Sequence, residues 1–377
     1  MLDFEGRALR TELIGLFTRP IDEPLTDDEF TGLARRVFAY QFARNEPYAA
    51  YCLRRGVRPE TIEHWTQIPA VPTAAFKELP LVSGKLADAE AVFRTSGTTR
   101  GAERRGEHHI LDLSLYHGSL LPNFAAYLLP DGAELPMLSL VPSVREMVDS
   151  SLAHMIDVVM DRLGADGSRS FATVATGIDY DALDAALERY ASEGAPIMLL
   201  GTSFAFVHWT DHLRERGMRH ALPPGSRLMD TGGFKGRSRE VPEPELRATY
   251  HELLGIPEDH VVNEYGMTEM CSQFYDSVLR EKVVRGAAGP RRKIPPPWVR
   301  TIPVDPETLE PVAPGEVGVL RHHDLANLGS VAAIQTEDLG RLEGDGFVVL
   351  GRASGAPPRG CSIAMDLLVE AARARGR

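Results

Sequence analysis

Three short segments of the chain combine hydroxyl, carboxylate and glycine residues in patterns that suit phosphate and nucleotide chemistry. The first is TSGTTRG at residues 95–101. Small hydroxyl residues around a glycine let backbone N–H groups and Oγ atoms converge on an anion, and concave clusters of such donors hold phosphate. No Lys-Ser/Thr pair follows at the spacing of a Walker loop. The segment is therefore a candidate phosphate-binding loop of another kind, with a solvated turn as the alternative.

The second segment is NEYGMTE at residues 263–269, directly after the apolar pair Val261–Val262. A tyrosine ring beside a glycine can stack on a purine, which makes Tyr265 a candidate for contact with a base. Glu269 can hold Mg²⁺, because this hard cation prefers carboxylate oxygen. The alternative interpretation is a strand-to-helix turn that Thr268 caps.

The third segment is TEDLGR at residues 336–341, followed by Asp345-Gly346 and by Leu350-Gly351-Arg352. Asp338, on a short strand between polar neighbours, can accept hydrogen bonds from both hydroxyls of a ribose. Arg352, just past a strand, can reach a phosphate through two parallel hydrogen bonds. The pair Asp345-Gly346 predicts a hairpin turn whatever else is true.

The elements that must position these segments are predicted from hydrophobic spacing and turn residues. Residues 1–65 have helical spacing. Strand-like runs then alternate with helical runs of about 10–15 residues, which indicates crossover units and a largely parallel sheet. The strand-like runs are 91–94, 135–141, 172–175, 195–200, 226–230 and 260–263, and the helical runs are 150–163, 180–194 and 242–254. After about residue 295 the pattern changes to short strands at 299–304, 318–321 and 347–350, and residues 363–376 predict an amphipathic helix.

These elements predict an α/β fold with mostly parallel sheets and a β-rich subdomain. We expect four consecutive parts: a helical region over residues 1–65, an α/β core over 66–295, a β-rich subdomain over 296–352, and a linker with a terminal helix over 353–377.

The composition is that of an ordinary globular chain. It has 377 residues, of which 43% are hydrophobic and 25% charged, which argues against disorder as the main state. The formal net charge of −12 makes nucleic acid and anionic membranes poor partners, because phosphate binding needs a basic face. The sparse use of cysteine, with 3 in the chain, suits a reducing compartment. The sequence shows neither the pattern of a signal peptide nor a run of ~18 apolar residues. We therefore expect a cytoplasmic protein with no membrane span and no nucleic-acid partner.

The order of the three segments is typical of the adenylate-forming superfamily, and the chain resembles that superfamily over about residues 60–365. Within it, the chain is most similar to the acyl-protein synthetases of the bacterial bioluminescence fatty acid reductase complex, with the phenylacetate-CoA ligases as close relatives. The narrower resemblance rests on IPAVPTAAFK at 68–77, DSSLAHM at 149–155, GTSF at 201–204 and TGGFKG at 231–236. It implies the large N-terminal domain of an adenylate-forming enzyme.

The resemblance implies a reaction in which a carboxylate and Mg-ATP give an acyl-adenylate and pyrophosphate, so ATP and Mg²⁺ are the expected cofactors. Catalysis of such an in-line attack on the α-phosphorus is mainly positioning and charge neutralisation. The resemblance assigns the phosphates to Thr95, Ser96, Gly97, Thr98 and Thr99, and the adenine to Gly232, Gly233, Tyr265 and Gly266. It assigns the α-phosphate to Thr268, Mg²⁺ to Glu269 and the ribose to Asp338. Arg352 matches the position of an interdomain hinge. It also suggests His154 for the carboxylate pocket, with a half-buried helical histidine as the alternative.

The sequence departs from the family pattern at two places. After the phosphate loop, the usual Pro-Lys-Gly is replaced by residues 100–105, whose three arginines are candidates for the missing cation. The usual C-terminal subdomain with its catalytic lysine is largely absent, since the last lysine is Lys293. Acyl-protein synthetases carry a cysteine near the C-terminus that accepts the acyl group, and Cys361 matches that position. The thiolate is the nucleophile in such chemistry, whereas the alternative role is a small buried residue.

The resemblance therefore implies activation of a carboxylic acid, in particular a fatty acid, and acyl transfer through Cys361 to a partner such as a reductase or a carrier protein. The alternative enzyme is an acid–CoA ligase of the phenylacetate type. The alternative of another class is a non-catalytic scaffold subunit. Two histidine motifs have no assigned chemistry: HHILD at 108–112 departs from the acyltransferase pattern, and HHD at 322–324 lacks further ligands at metal spacing.

Overall fold

The computed structural model describes residues 2–95, 105–232, 241–352, 365 and 367–370. The chain divides into two compact units, each made of separate stretches of sequence. Unit 1 comprises Met1–Pro122, Met267–Gln273 and Lys293–Arg377, and unit 2 comprises Asn123–Gly266 and Phe274–Arg292. The four consecutive parts expected from the sequence stay a prediction.

The described helices and strands follow one another along the chain as listed here. The α-helices are α1 (Phe4–Phe17), α2 (Asp27–Arg44), α3 (Glu46–Arg54), α4 (Leu113–Leu128), α5 (Ser151–Leu163), α6 (Tyr180–Glu193), α7 (Ser203–Glu215), α8 (Glu243–Leu254) and α9 (Val278–Arg285). The first strands are β1 (Val71–Pro72), β2 (Ala91–Arg94), β3 (Glu107–Ile110), β4 (Met137–Ser139), β5 (Arg169–Ser170), β6 (Ala172–Thr173), β7 (Gly177–Ile178) and β8 (Met198–Thr202). They are followed by β9 (Arg227–Thr231), β10 (Val261–Tyr265), β11 (Phe274–Asp276), β12 (Lys293–Ile294), β13 (Val299–Val304), β14 (Gly318–Asp324), β15 (Ala333–Glu343) and β16 (Gly346–Arg352).

Unit 1 begins with α1, α2 and α3, which lie where the hydrophobic spacing predicts helices. Side chains of polar residues start these helices: Asp3 accepts from the backbone of Gly6 before α1, and Thr26 and Glu29 form a reciprocal capping box at α2. Asn45 separates α2 from α3 and caps the second of them. Short 3₁₀ turns at Pro59–Thr61, Trp65–Gln67, Thr73–Lys77 and Leu86–Asp88 then lead toward the first candidate segment.

The sheet of unit 1 is mostly antiparallel. Its strands lie in the order β13, β14, β15, β16 and β12, and the short β1 pairs in parallel with β15. The strand that carries Asp338 has 11 residues, so the expectation of a short strand is wrong there. The predicted hairpin turn is confirmed between Glu343 and Gly346, with Gly344 at a φ of 62°. Strands β2 and β3 form a separate antiparallel hairpin.

The sheet of unit 2 is mostly parallel, which confirms the predicted α/β class. Its order is β5, β4, β8, β9, β10 and β11, and only β11 runs antiparallel to its neighbour. Strands β8 and β9 are buried along nearly their whole length, as expected for strands that helices cover on both faces. An apolar core forms between this sheet and helices α6, α7 and α8, with Leu187, Leu199, Phe206, Trp209 and Leu228 among its fully buried members.

Two local features differ from the sequence analysis. Helix α4 has no counterpart among the predicted elements, and Pro122 lies inside it. The alternative of a strand-to-helix turn after Tyr265 also fails. The chain instead continues into strand β11, which pairs antiparallel with β10.

The end of the described chain packs on the helical region of unit 1. Met365 and residues 367–370 are helical, Leu368 is fully buried, and Glu370 forms an ion pair of 2.9 Å with Arg54 at the end of α3. The rest of the helix predicted over residues 363–376 lies outside the described residues. In the part of the chain that is described, no helix is both long and apolar enough to cross a membrane.

Candidate functional site

The first candidate segment connects the two strands of the β2–β3 hairpin. Thr95 closes the hairpin, because its N–H donates to the carbonyl of Gly106 and its Oγ1 accepts from the N–H of Gly106, both at 2.9 Å. The guanidinium of Arg105 donates to the carbonyls of Thr95 and Arg94 at 2.6 and 3.1 Å. Arg105 therefore holds the base of the loop in place. The other residues assigned to the phosphates, Ser96, Gly97, Thr98 and Thr99, lie outside the described residues, as do Arg100 and Arg104.

The loop that carries Thr268 and Glu269 belongs to unit 1 and is held through its backbone. The carbonyl of Thr268 lies 2.7 Å from His108 Nδ1, and the carbonyl of Glu269 accepts from Asn327 Nδ2 at 2.9 Å. The side chain of Glu269 is buried, with 7% of its residue surface exposed, whereas Thr268 is half-buried. The α-phosphate and Mg²⁺ candidates are thus neighbours on a loop whose path is set by His108 and Asn327.

The far end of the same loop is fixed by the carboxylate of Asp324. The N–H groups of Cys271 and Ser272 both donate to its Oδ2 at 2.9 Å, and the Ser272 hydroxyl donates to Oδ1 at 2.8 Å. The N–H of Ala326 adds a fourth hydrogen bond to Oδ1 at 3.0 Å. Burial raises the pKa of Asp324 to about 6, although these donors favour its charged form and oppose that rise.

In unit 2, the other candidate residues follow the carboxyl ends of two neighbouring parallel strands. Asp230 and Thr231 of β9 lie opposite Asn263 and Glu264 of β10. Asn263 Nδ2 donates to Asp230 Oδ1 at 2.8 Å, and the hydroxyl of Thr231 donates to the carboxylate of Glu264. Ligands of open parallel sheets bind at this edge of the strands. The structure thus brings Gly232, Tyr265 and Gly266 to one edge of the sheet.

The two glycines at this edge are required for different reasons. Gly232 has a φ of 71°, a left-handed conformation that favours glycine, and its carbonyl accepts from the hydroxyl of Ser203 at 3.0 Å. A side chain at Gly266 would collide with the carboxylate of Glu264. The ring of Tyr265 packs at a tilt on Phe274, with 5.8 Å between the ring centroids. Gly233, the last residue assigned to the adenine, lies outside the described residues.

Asp338 and Arg352 lie opposite each other on β15 and β16, with Arg352 Nε 3.4 Å from Asp338 Oδ1. The Asp338 side chain is mostly buried, and that of Arg352 is mostly exposed. His154 is half-buried on α5, as the alternative interpretation expects, and its proposed role in the carboxylate pocket stays a prediction.

The two cysteines within the described residues have similar environments. Cys52 and Cys271 are both buried, and burial raises the pKa of Cys52 to about 12 and the pKa of Cys271 well above its ordinary value. Both thiols therefore stay protonated near neutral pH, which suits a structural role. The candidate acyl acceptor, Cys361, lies outside the described residues.

A comparison with protein families decides the identity. The family model described as acyl-protein synthetase, LuxE, matches residues 30–369 of the chain. The chain belongs to this family. As an acyl-protein synthetase, it is an enzyme of the ligase type that activates an acid and transfers the acyl group.

Two curated relatives of this acyl-protein synthetase bear the same name, long-chain-fatty-acid–luciferin-component ligase. The protein of Aliivibrio fischeri is 23% identical over 354 residues, which cover 90% of this chain and 88% of the relative. The protein of Vibrio harveyi is 23% identical over 347 residues, which cover 89% and 86% of the two chains.

Solved structures confirm that the synthetase has an adenylate-forming fold. A 2-hydroxyisobutyryl-CoA ligase in complex with 2-HIB-AMP and CoA superposes with a TM-score of 0.61 at 15% identity, covering 89% of this chain and 66% of the ligase. A second structure of that ligase, in the postadenylation state with R3-HIB-AMP, has a TM-score of 0.62 at 15% identity, with coverages of 86% and 67%. The synthetase thus spans about two thirds of the length of these ligases.

The residues of the described chain fit a magnesium ion that arrives with a nucleotide. No group of three or more His, Cys, Asp or Glu side chains that can hold a metal occurs within the described residues. Mg²⁺ bound with a nucleotide needs only one or two protein carboxylates, because phosphate oxygens and water complete its shell. The buried carboxylate of Glu269 suits that arrangement.

Three residues at this site were missed from the sequence: His108, Asp324 and Asn327. The signal was present in the motifs HHILD and HHD, which contain two of the three. Neither motif has the spacing of metal ligands or matches a known catalytic pattern. The roles of His108 and Asp324 are therefore seen only from their contacts with the loop at residues 267–273.

Proposed function

We propose that this acyl-protein synthetase uses Mg-ATP to activate a long-chain fatty acid and then carries the acyl group on Cys361. The observation that carries the proposal is the family match over residues 30–369, which includes all three nucleotide segments and Cys361. The names of the two curated relatives support a long-chain fatty acid as the substrate.

The first step forms the acyl-adenylate. A carboxylate oxygen of the acid attacks the α-phosphorus of ATP, a new P–O bond forms, and the bond to pyrophosphate breaks. Thr95 and the loop after it hold the phosphates, Thr268 contacts the α-phosphate, and Asp338 accepts hydrogen bonds from the ribose. Glu269 would hold Mg²⁺, which would supply compensation of the phosphate charge. This step depends mainly on the positioning of the reactants and on compensation of charge, and less on covalent catalysis. The loop of Thr268 and Glu269 suits it, because hydrogen bonds to both backbone carbonyls hold the loop in place.

The second step moves the acyl group to sulfur. The Cys361 thiol loses its proton, the thiolate attacks the acyl carbonyl carbon, and the C–O bond to AMP breaks. The other two cysteines are poor acceptors, because burial keeps their thiols protonated. Of the 3 cysteines, this leaves Cys361 as the candidate acceptor, which is the one that the family resemblance assigns to that role.

The acyl group then passes to a protein partner, such as a reductase or a carrier. The family name, which describes the synthesis of an acyl-protein, supports such a partner. A cytoplasmic location is part of the same proposal, and the sparse use of cysteine supports it.

Covalent labelling tests this proposal. The protein is incubated with Mg-ATP and radiolabelled tetradecanoic acid, denatured, and examined for label on the intact chain. We expect label that requires ATP, is released by hydroxylamine, is absent in Cys361→Ser, and is retained in the control variants Cys52→Ser and Cys271→Ser. Label that persists in Cys361→Ser contradicts the acceptor assignment.

The same experiment separates the alternatives. In a second assay, free CoA is added to Cys361→Ser. If this variant carries no label but forms acyl-CoA, the result favours an acid–CoA ligase. A scaffold subunit would show neither nucleotide binding nor exchange of labelled pyrophosphate into ATP with any acid. Exchange that depends on a fatty acid rules out the scaffold.

A further inference from the structure

We propose that His108 and Asn327 are positioning residues that hold the backbone of Thr268 and Glu269 in the place that adenylation requires. The inference rests on the proposed function, because it assigns these two side chains to the geometry of that same reaction. Neither residue touches the reacting atoms. They act through the carbonyls of the loop.

Within unit 1, the pair connects Thr268 and Glu269 to two strands that lie next to or carry the other candidate segments. His108 is on β3, the strand that follows the TSGTTRG loop, and it contacts the carbonyl of Thr268 in the YGMTE segment. Asn327 is in the connection from β14 to β15, the strand that carries TEDLGR, and it contacts the carbonyl of Glu269. His108 Nε2 lies 2.9 Å from Asn327 Oδ1, so the two side chains also contact each other. A shift of either residue would therefore move Thr268 and Glu269 relative to the other two segments.

The available donors and acceptors fix the orientation of both side chains. The amide nitrogen of Asn327 donates to two carbonyls at 2.9 Å, those of Glu269 and Val331, so its oxygen faces His108. Both partners of the His108 ring, the Thr268 carbonyl and Asn327 Oδ1, are therefore acceptors. A neutral imidazole has one N–H and can donate to only one of them. The proposal assigns this proton to Nδ1, which then donates to the carbonyl of Thr268.

Packing leaves both side chains little freedom to adjust. His108 and Asn327 each expose only 1% of their surface. The ring of Phe76 lies edge-on to His108 with 5.6 Å between centroids, and Gln41 Nε2 donates to the carbonyl of Asn327 at 2.9 Å. Such a shell can hold catalytic groups to a fraction of an ångström, and errors of about 1 Å cost on the order of a hundredfold in rate.

Two polar substitutions of His108 separate positioning from general stability. In His108→Asn the amide lies near the place of Nδ1 and can still donate to Thr268. In His108→Gln the amide lies near the place of Nε2, reaches Asn327, and leaves the Thr268 carbonyl without its donor. The neighbouring residue His109, which pairs with Glu107 at 3.4 Å, supplies the control His109→Asn. Each full-length variant is assayed by fatty-acid-dependent exchange of labelled pyrophosphate into ATP, and its melting temperature is measured.

We expect kcat/KM for Mg-ATP to fall about tenfold to a hundredfold in His108→Gln, with KM for the fatty acid unchanged. His108→Asn should stay within about threefold of the parent protein, and His109→Asn should match it. Equal losses in the Asn and Gln variants, or losses that follow the melting temperature alone, would overturn the positioning role. Absence of exchange in the parent protein would instead refute the proposed function, so the two failures are distinguishable.

Discussion

Arg352 lies directly across from Asp338 on the neighbouring strand, with 3.4 Å between its Nε and the Asp338 Oδ1. The resemblance assigns these two residues to a hinge and to a ribose, yet here they form one cross-strand ion pair. Because 66% of the Arg352 side chain is exposed, solvent screens the pair and it contributes little to stability. Separation of Arg352 from Asp338 would therefore cost little.

Replacement of Asp338 tests the ribose assignment. If Asp338 accepts hydrogen bonds from both ribose hydroxyls, Asp338→Ala should raise KM for ATP by about tenfold or more, since hydrogen bonds to charged groups contribute about 1.5–3 kcal/mol. The parent protein should discriminate against 2′-deoxy-ATP, and the variant should not. Pyrophosphate exchange with each nucleotide measures both effects, and Glu343→Gln on the same strand is the control. Discrimination that survives in Asp338→Ala would contradict the assignment.

Glu269 is expected to set the magnesium requirement. Glu269→Gln keeps the backbone bond to Asn327 but loses the carboxylate, so adenylation should fall by about a hundredfold or more and need a higher concentration of Mg²⁺. Removal of the metal with EDTA should abolish activity in the parent protein. A titration of exchange activity against Mg²⁺ measures the shift. The surface variant Glu258→Gln should titrate like the parent, and a Glu269→Gln curve identical to both would disprove the role.

The buried histidines of unit 1 predict a loss of stability in acid. Burial lowers the pKa of His108 to about 4 and of His322 to about 3, and places the pKa of His323 well below its usual value. Below pH 6.5 the unfolded chain binds protons at these histidines that the folded chain does not, so the free energy of unfolding should fall as the pH drops from 6.5 toward 4.

Asp324 acts in the opposite direction. Burial raises its pKa from 3.8 to about 6, so the folded chain binds a proton between pH 3.8 and 6 that the unfolded chain lacks, and this contribution to stability is lost as the pH rises through 6. Asp324→Asn removes that opposing contribution, so its stability should depend more steeply on pH between 4 and 6. Urea denaturation at a series of pH values measures both slopes. A shallower slope in Asp324→Asn would show that the sign is wrong.

Gly266 has little room for a side chain unless the carboxylate of Glu264 shifts. In Gly266→Ala the new Cβ would meet the carboxylate of Glu264, which lies in the buried network at the ends of β9 and β10. Overpacking of this kind costs about 1–3 kcal/mol, and we expect both a lower melting temperature and a higher KM for ATP. Gly15→Ala in α1 is the matched control, because nothing lies within 4 Å of its new Cβ. A Gly266→Ala protein that melts and binds ATP like the control would refute the steric argument.

Much of this synthetase was predictable because its signals are local. The hydrophobic runs placed most strands and helices within a few residues, since burial on one or two faces leaves a periodic pattern. The three nucleotide segments identified the superfamily, because hydroxyl and glycine residues must be adjacent in the chain to form a phosphate loop. Helix α4 has a weaker signal in the sequence, because Pro122 lies inside it and two of its buried positions, Ser119 and Asn123, are polar.

The tertiary structure alone decided which side chains support the reactive loop. His108 is 160 positions from Thr268 and 219 from Asn327, and Asp324 is 52 positions from Ser272. Hydrogen bonds between residues so far apart in the chain leave neither a periodic pattern nor a motif of neighbouring residues in the sequence. The two histidine motifs each supply one residue that contacts this loop: His108 contacts the carbonyl of Thr268, and Asp324 accepts from the N–H groups of Cys271 and Ser272. Only folding brings these partners together.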